Sequence, residues 1–280
     1  MSILQNAYRK LSLHDYRVRA HYGLLARGGS LSEESMFMNM GYWKDQPKTL
    51  DEAARALVRL VAETARLGKG DRLLDVGCGF GDQDLFWMEE FGPTRIDAVN
   101  ISTYQLKVVA DRVKAQGLED RFGLWAASAT ELPFEPATFD KVTCVEASHH
   151  FSSREAFLRE ALRVMKPGGQ IVLADILPRP GYKVGAFERR NMHVADVNMY
   201  TADVYATKLQ QMGYTHVEVR SIREDVCPPY SAFLLRRVGD GAVAQRMNPL
   251  VRWVAQAYLR RFGTFENLDF VIASAERPAQ

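Results

Sequence analysis

The sequence is poor in cysteine, in long apolar runs and in excess charge of either sign. Its three cysteines, Cys78, Cys144 and Cys227, show none of the C-x-x-C spacing of metal or redox motifs. We therefore expect buried thiols rather than disulfides or metal ligands. The six histidines likewise lack the spacing of metal ligands, so no metal is expected.

Charge and hydropathy argue against two broad classes of function. Lys and Arg number 36 against 34 Asp and Glu, and a net charge of +2 is too small to imply a nucleic-acid partner. No apolar run approaches the ~20 residues of a membrane helix, and residues 1–23 lack the apolar segment of a secretory signal. We expect a cytoplasmic protein with no membrane span.

A length of 280 residues fits one large α/β domain with additions. Residues 1–48 are predicted to form an N-terminal helical cap and a segment that closes over the site, and residues 49–280 the main domain. Segment 178–210 has no clear strand pattern and is expected to insert helices as a lid. An amphipathic helix is predicted at 248–263. Three roles are open for it: it packs a homo-oligomer, covers the pocket or completes the core.

The most informative stretch is LLDVGCGFGD at residues 73–82. Its apolar run fits a buried parallel strand, and Gly77, Gly79 and Gly81 form a turn in which no Cβ blocks a ligand. The spacing departs from the dinucleotide fingerprint G-x-G-x-x-G, and Asp75 would repel a diphosphate but attract a cation. The stretch favours S-adenosylmethionine (SAM) over NAD, although a simple tight turn stays open as an alternative.

These residues resemble motif I of the class I SAM-dependent methyltransferases. The similarity extends over roughly residues 38 to 222, through TRIDAVNIS (94–102), segment 122–151 and LREALRVMKPGGQIVLAD (158–175). The resemblance implies an α/β Rossmann-like fold with a mainly parallel seven-stranded sheet, helices on both faces, an N-terminal cap and a lid insertion after strand five. The last strand, at 266–276, is expected to run antiparallel at the centre of the sheet.

The resemblance also implies a set of SAM contacts, with two departures from the usual pattern. Asn100 stands where an acid usually binds the ribose, and Ser128 and Ala129 stand where an acid usually receives the adenine. Open alternatives are a helix N-cap at Ser102 with a solvent-facing Gln105, and a core anchor for the Tyr-Trp pair of N-M-G-Y-W, whose rings also suit a sulfonium. The expected contacts are Tyr42, Trp43, Asp75, Gly77, Cys78, Gly79, Asn100, Ile101, Ser102, Gln105, Ser128, Ala129 and Glu146.

Methyl transfer from a sulfonium has a neutral leaving group, so the protein chiefly orients the acceptor and removes one proton. VEASHHF places His149 and His150 at the carboxyl end of strand four, where ligands bind in open α/β sheets. The chain is similar to type-11-like methyltransferases of natural products, including sugar and rifamycin-type O-methyltransferases. That similarity implies His149 as the base and Asp175, 26 residues later, as the residue that orients its ring or the acceptor. A structural histidine, and His150 as the base, stay open.

The favoured function is SAM-dependent O-methylation of a small, largely apolar metabolite in a bacterial biosynthetic pathway. C- or N-methylation, for example of a prenyl diphosphate or an amine, is the alternative. An NAD-type dehydrogenase and a non-catalytic SAM-binding module are more remote. The residues expected to contact the acceptor are His150, Met192, His193, Met199 and Tyr200, although lid residues also need a core of their own.

Overall fold

A computed structural model describes residues 4–6, 17, 34–185, 189, 193–240, 249, 253, 256–257 and 265–279. The predicted helix at 248–263 and the first part of the predicted cap lie largely outside these residues, as does Met192. The division of the chain at residue 48 stays a prediction. Within the described stretches, no helix has the length and apolar composition needed to cross a membrane.

In the part of the chain that the structure describes, eight strands form one sheet. They are β1 (Leu4–Asn6), β2 (Arg72–Val76), β3 (Arg95–Asn100), β4 (Phe122–Ala126), β5 (Phe139–Val145), β6 (Met165–Pro178), β7 (Thr215–Ser221) and β8 (Leu268–Glu276). Their order across the sheet is β1-β4-β3-β2-β5-β6-β8-β7, and β1 to β6 pair in parallel. The mainly parallel sheet is confirmed, and the eighth strand is the three-residue β1, which extends the edge beside β4.

The last strand is antiparallel as predicted, but it does not lie at the centre of the sheet. β8 lies between β6 and β7, one place from the edge, and runs antiparallel to both. The long connection from β6 to β7 leaves a gap one strand wide, which the nine residues of β8 fill with hydrogen bonds on both sides. The parallel strands β2, β3 and β5 occupy the centre instead.

Helices cover both faces of the sheet, as predicted. They are α1 (Leu50–Thr64), α2 (Asp82–Glu90), α3 (Thr103–Ala115), α4 (Arg154–Val164), α5 (Ala202–Gln211) and α6 (Arg223–Asp240). α1 begins at Thr49, whose Oγ1 accepts a hydrogen bond from the Glu52 amide at 3.1 Å. It ends at Thr64, because Arg66 takes a left-handed φ of 50°.

Two hydrophobic clusters fill the space between the helices and the sheet. Side chains of α1, α2 and α3 pack one face, and Trp87 there is fully buried and donates its Nε1 hydrogen to the Val58 carbonyl at 2.8 Å. Side chains of α4 and α5 pack the other face. Because β2 to β6 are parallel and covered on both faces, their carboxyl ends share one edge where a ligand has access.

Candidate active site

A pocket opens at the carboxyl ends of β2 to β5. It encloses about 910 Å³ of empty space including its open mouth. Its lining is mostly apolar with a few polar groups: Met36, Met38, Asn39, Val76, Gly77, Gly79, Phe80, Gln83, Val99, Asn100, Ile101, Gln105, Ala127, Ser128, Ala129, Val145, Glu146, Ala147, His150 and Phe151. The pocket therefore brings together most of the predicted cofactor contacts.

The glycine turn after β2 forms the floor of this pocket. Gly77 has a φ of +91°, and a Cβ there would lie 2.3 Å from the Ala147 Cβ, so only glycine fits. Gly79 has a φ of +56°, and among the described residues the heavy atom nearest to a Cβ at that position is the Met38 sulfur, at 3.8 Å. A side chain at position 79 would therefore extend into the space that a ligand needs.

Asp75 lies beneath the turn rather than in the pocket wall. It is fully buried, and its carboxylate accepts hydrogen bonds from Gln83 Nε2 and Thr143 Oγ1, both at 3.0 Å. Burial raises the pKa of Asp75 to about 7. Asp84 is buried beside it, and burial together with the Asp75 charge raises the pKa of Asp84 well above its ordinary value. Asp75 is thus one residue removed from the pocket, because its hydrogen-bond partner Gln83 lines the pocket.

Glu146 is the acid that lines the pocket itself. It follows β5 with a left-handed φ of 49°, and its carboxylate accepts a hydrogen bond from the Met40 amide at 2.7 Å. Partial removal from water raises the pKa of Glu146 to about 8. No cation is placed beside Glu146 by any of its described contacts, so the pocket offers this carboxyl group to a positively charged ligand.

Asn100 organises the side of the pocket at the end of β3. Its Nδ2 donates to the Gly79 carbonyl at 3.2 Å and to Gln105 Oε1 at 3.1 Å, and its Oδ1 accepts from the Ser102 amide at 3.0 Å. Ser102 is the N-cap of α3, as one of the two interpretations required, but Gln105 is buried and lines the pocket instead of facing solvent. Cys78 and Ser102 are buried behind the lining.

Tyr42 and Trp43 do not line the pocket. Trp43 is buried, donates its Nε1 hydrogen to the Met40 carbonyl at 2.9 Å and packs its ring 5.5 Å from that of Phe233. These contacts correspond to the core anchor that composition left open. The preceding residues of the same segment, Met38 among them, take the place in the wall that the aromatic pair was expected to hold.

The two histidines lie on one short 3₁₀ turn, Ser148–His150, directly after β5. His150 lines the pocket, whereas His149 is only 3% exposed and its Nδ1 lies 3.3 Å from Asp175 Oδ1. The two ring centroids are 3.9 Å apart. The turn therefore presents one imidazole to the pocket and holds the other against a buried carboxylate.

Asp175 is fully buried in β6 and does not reach the pocket. Its Oδ2 lies 2.8 Å from Arg154 Nε, and the Ser148 hydroxyl donates to the same oxygen. Burial alone would raise the pKa of Asp175, but the Arg154 charge and the contacts with His149 and Ser148 hold it below its ordinary value. In this position Asp175 contacts the His149 ring and does not line the pocket.

The predicted acceptor residues of the segment after β6 lie elsewhere. Tyr200 is buried with its ring 4.9 Å from the Arg154 guanidinium, and His193 and Met199 are half-buried and are not part of the lining. Sequence reasoning missed Gln83 and Met38. Gln83 follows the glycine turn at the start of α2, and this position next to the motif was the available signal; Met38 had no comparable signal of its own.

Comparison with known proteins gives concordant results. The profile of a family described as "Methyltransferase domain" matches residues 74–173. Erythromycin 3''-O-methyltransferase of Saccharopolyspora erythraea is 33% identical over 94% of this chain and 90% of the relative. 27-O-demethylrifamycin SV methyltransferase of Amycolatopsis mediterranei is 30% identical over 86% and 90%. The crystal structure of the [4+2]-cyclase SpnF superposes with a TM-score of 0.75 at 23% identity, covering 98% of this chain and 100% of that one.

Proposed function

The chain belongs to the SAM-dependent methyltransferases, and from that premise we propose that it methylates a hydroxyl group of a largely apolar natural product in a bacterial biosynthetic pathway. The relatives named for O-methylation of erythromycin and of a rifamycin, both matched over 90% of their length, support this substrate class. The observation that carries the assignment of O-methylation is a His–Asp pair directly behind a histidine that faces the pocket.

The residues of the pocket fit SAM. Gly79 leaves its floor open, and Asn100, Gln105 and Ser128 are the polar side chains that line the side where the ribose and the adenine would lie. The acidic Glu146, with Asp75 behind Gln83, suits the positive amino and sulfonium groups. Bound there, SAM supplies an electrophilic methyl group on its sulfonium.

We assign the proton transfer to His149. Its Nδ1 faces Asp175, which leaves Nε2 to take the proton of the acceptor hydroxyl. Imidazole changes its protonation between pH 5 and 8, which suits base work near neutral pH. His150, which lines the pocket, is assigned to contact with the acceptor, and the apolar lining around it keeps water from the reacting oxygen.

The acceptor is the single partner that we propose. Three buried free thiols are compatible with a reducing compartment, and on this basis we infer a cytoplasmic location. A homo-oligomer and the absence of a nucleic-acid partner stay predictions. The predicted acceptor contacts of His193, Met199 and Tyr200 are replaced in this assignment by His150 and the apolar wall of the pocket, Phe151 included.

A labelled-methyl assay tests this function. The purified enzyme is incubated with methyl-deuterated SAM and a panel of hydroxylated macrolides and ansamycins, each lacking one O-methyl group, and the products are separated by mass spectrometry. We expect one acceptor class to gain a deuterated methyl, and NMR of the product to place it on oxygen. A label on carbon or nitrogen would contradict O-methylation, and no labelled product with any hydroxylated acceptor would contradict the function.

A further inference from the structure

Arg154, the first residue of α4, is a fully buried arginine to which the proposed reaction gives no role so far. Its Nε lies 2.8 Å from Asp175 Oδ2, and its Nη1 donates to the Asn198 carbonyl at 2.8 Å. Its guanidinium lies over the rings of Tyr200 and Tyr205, at 4.9 and 5.2 Å from their centroids. A buried cation is costly unless it is paired and hydrogen-bonded, and its partner here is the carboxylate that contacts His149.

Each oxygen of the Asp175 carboxylate has one titratable or charged partner and one neutral donor. Oδ2 contacts Arg154 and the Ser148 hydroxyl, and Oδ1 contacts His149 and the Ile176 amide, so the arginine is the charged group that helps to fix the carboxylate beside the imidazole. We propose that Arg154 is a positioning residue for methyl transfer, which clamps Asp175 beside the His149 ring and offsets the Asp175 charge there. This inference rests on the proposed function, because it assigns Arg154 a part in the same proton transfer.

Asn198 connects Arg154 to the backbone of the histidine turn. This buried side chain accepts a hydrogen bond from the Arg154 amide at 2.8 Å and donates to the carbonyls of Phe151 at 2.7 Å and of His149 at 3.3 Å. One residue of the segment after β6 therefore holds both the start of α4 and the backbone of the proposed base. The guanidinium and the imidazole have little freedom to move apart.

The balance of charge around His149 depends on Arg154. Burial raises the pKa values of Tyr205 and Cys144 well above their ordinary values, so both are neutral at cellular pH. Removal of the guanidinium leaves the Asp175 charge uncompensated at 3.3 Å from the ring, which favours the imidazolium. The titratable and charged groups around the pair, from each element packed against it, are Cys144, Glu146, His150, Arg154, Asp175, Tyr200 and Tyr205.

Two variants test this role in the full-length protein. In Arg154→Met, the His149 signal in a ¹⁵N-histidine NMR titration with S-adenosylhomocysteine should move to higher pH by about one unit. The acidic limb of log kcat against pH should move with it. Arg154→Lys keeps the charge, so the His149 signal should titrate as in the wild type. It loses the guanidinium hydrogen bond to the Asn198 carbonyl, so kcat should fall by about tenfold. A His149→Gln protein assigns the signal.

Each outcome bears on the clamp. An unshifted His149 titration in folded Arg154→Met overturns it, and if that variant does not fold, wild-type kcat in Arg154→Lys overturns it instead. Affinity for SAM, measured by calorimetry, should stay near the wild-type value because Arg154 does not line the pocket. The NMR titration needs no acceptor, so a shifted signal in a protein that methylates nothing would refute the proposed function while supporting the clamp.

Discussion

Two buried aspartates, one at each end of the site, have pKa values shifted in opposite directions. Asp75 and Asp175 are both fully buried in parallel strands of the same sheet. Asp75 accepts hydrogen bonds from the neutral side chains of Thr143 and Gln83 and lies beside the buried Asp84, and its pKa is raised to about 7. Asp175 has Arg154 against it, and its pKa is lowered. Burial is common to both, so the partner decides the charge.

This difference divides the site into two electrostatic regions. Around the glycine turn, Asp75 and Glu146 are acids without a described cationic partner, and Arg112 offsets the effect of the neighbouring acids on Asp84 only in part, so this region gains from a cation that arrives from outside. Around the histidine turn, the cation is part of the chain and the ion pair is closed before any ligand binds. Cofactor binding is therefore expected to change protonation in the first region and to leave it unchanged in the second.

Replacing each aspartate by asparagine tests the comparison most strongly. Asp175→Asn leaves Arg154 buried without its counter-ion and should lower the free energy of unfolding by about 3–5 kcal/mol. Asp75→Asn replaces a group that already holds a proton below pH 7, so stability at pH 6 should stay within about 1 kcal/mol of the wild type or rise. Urea unfolding at pH 6 measures both. Equal destabilisation by the two substitutions would mean that charge state does not distinguish them.

Removing the proposed base gives the next largest effect. His149→Ala should lower kcat by about 10²-fold, the usual contribution of a positioned base, while SAM binds as in the wild type. His150→Ala is the matched control on the same turn and should cost less, because that ring lines the pocket without the carboxylate contact. Steady-state kinetics with the acceptor found by the labelled-methyl assay measure both. Near wild-type turnover of His149→Ala would remove it from the mechanism.

The cofactor half of the site was predictable because its signals are local. An apolar run followed by alternating glycines predicts a strand and a turn with space for a ligand, and the structure places Gly77 and Gly79 in the pocket lining. Even there, composition did not decide between core and wall for Trp43, whose indole packs equally well in both settings. The three residues of β1 were not predictable, since so short a strand has no periodicity.

The catalytic half depends on contacts between distant parts of the chain. Asn198 accepts a hydrogen bond from the Arg154 amide, 44 residues earlier in the chain, and no pattern in either segment predicts this contact. Which of two adjacent histidines faces the pocket is set by the 3₁₀ turn that carries them, and this turn has no sequence signature of its own. The His149–Asp175 spacing was available only through resemblance to a family, because strand register brings the two together.

A valine at position 79 tests whether SAM binds against the glycine turn. Gly79→Val should weaken SAM binding by at least about tenfold, or ~1.4 kcal/mol, because its side chain enters the open floor of the pocket. Gly117→Val is the control, since Gly117 also has a positive φ, of +66°, with no atom within 4 Å of its Cβ position, and it does not line the pocket. Calorimetric titration of both folded variants with SAM should show wild-type affinity for Gly117→Val and weakened affinity for Gly79→Val. Equal affinities would mean that SAM does not bind against Gly79.

The smallest expected effect is a pH dependence that belongs to Glu146. Its pKa is raised from 4.5 to about 8 in the folded protein, so folding takes up a proton in that window and its contribution to stability is lost as pH rises toward 8. Because Glu146 is half-buried at the pocket surface, water screens it and the change should amount to about 1 kcal/mol. Thermal unfolding of the ligand-free protein from pH 5.5 to 8.5 should show this loss, and Glu146→Gln, which can still accept the Met40 hydrogen bond, should show a flatter profile.

Saturating SAM should flatten the wild-type profile as well, because its positive charge stabilises the ionised carboxylate. Identical profiles for the wild type and Glu146→Gln would show that this acid does not titrate in the window, and the contrast with Asp175 would then depend on Asp75 and Asp84 alone.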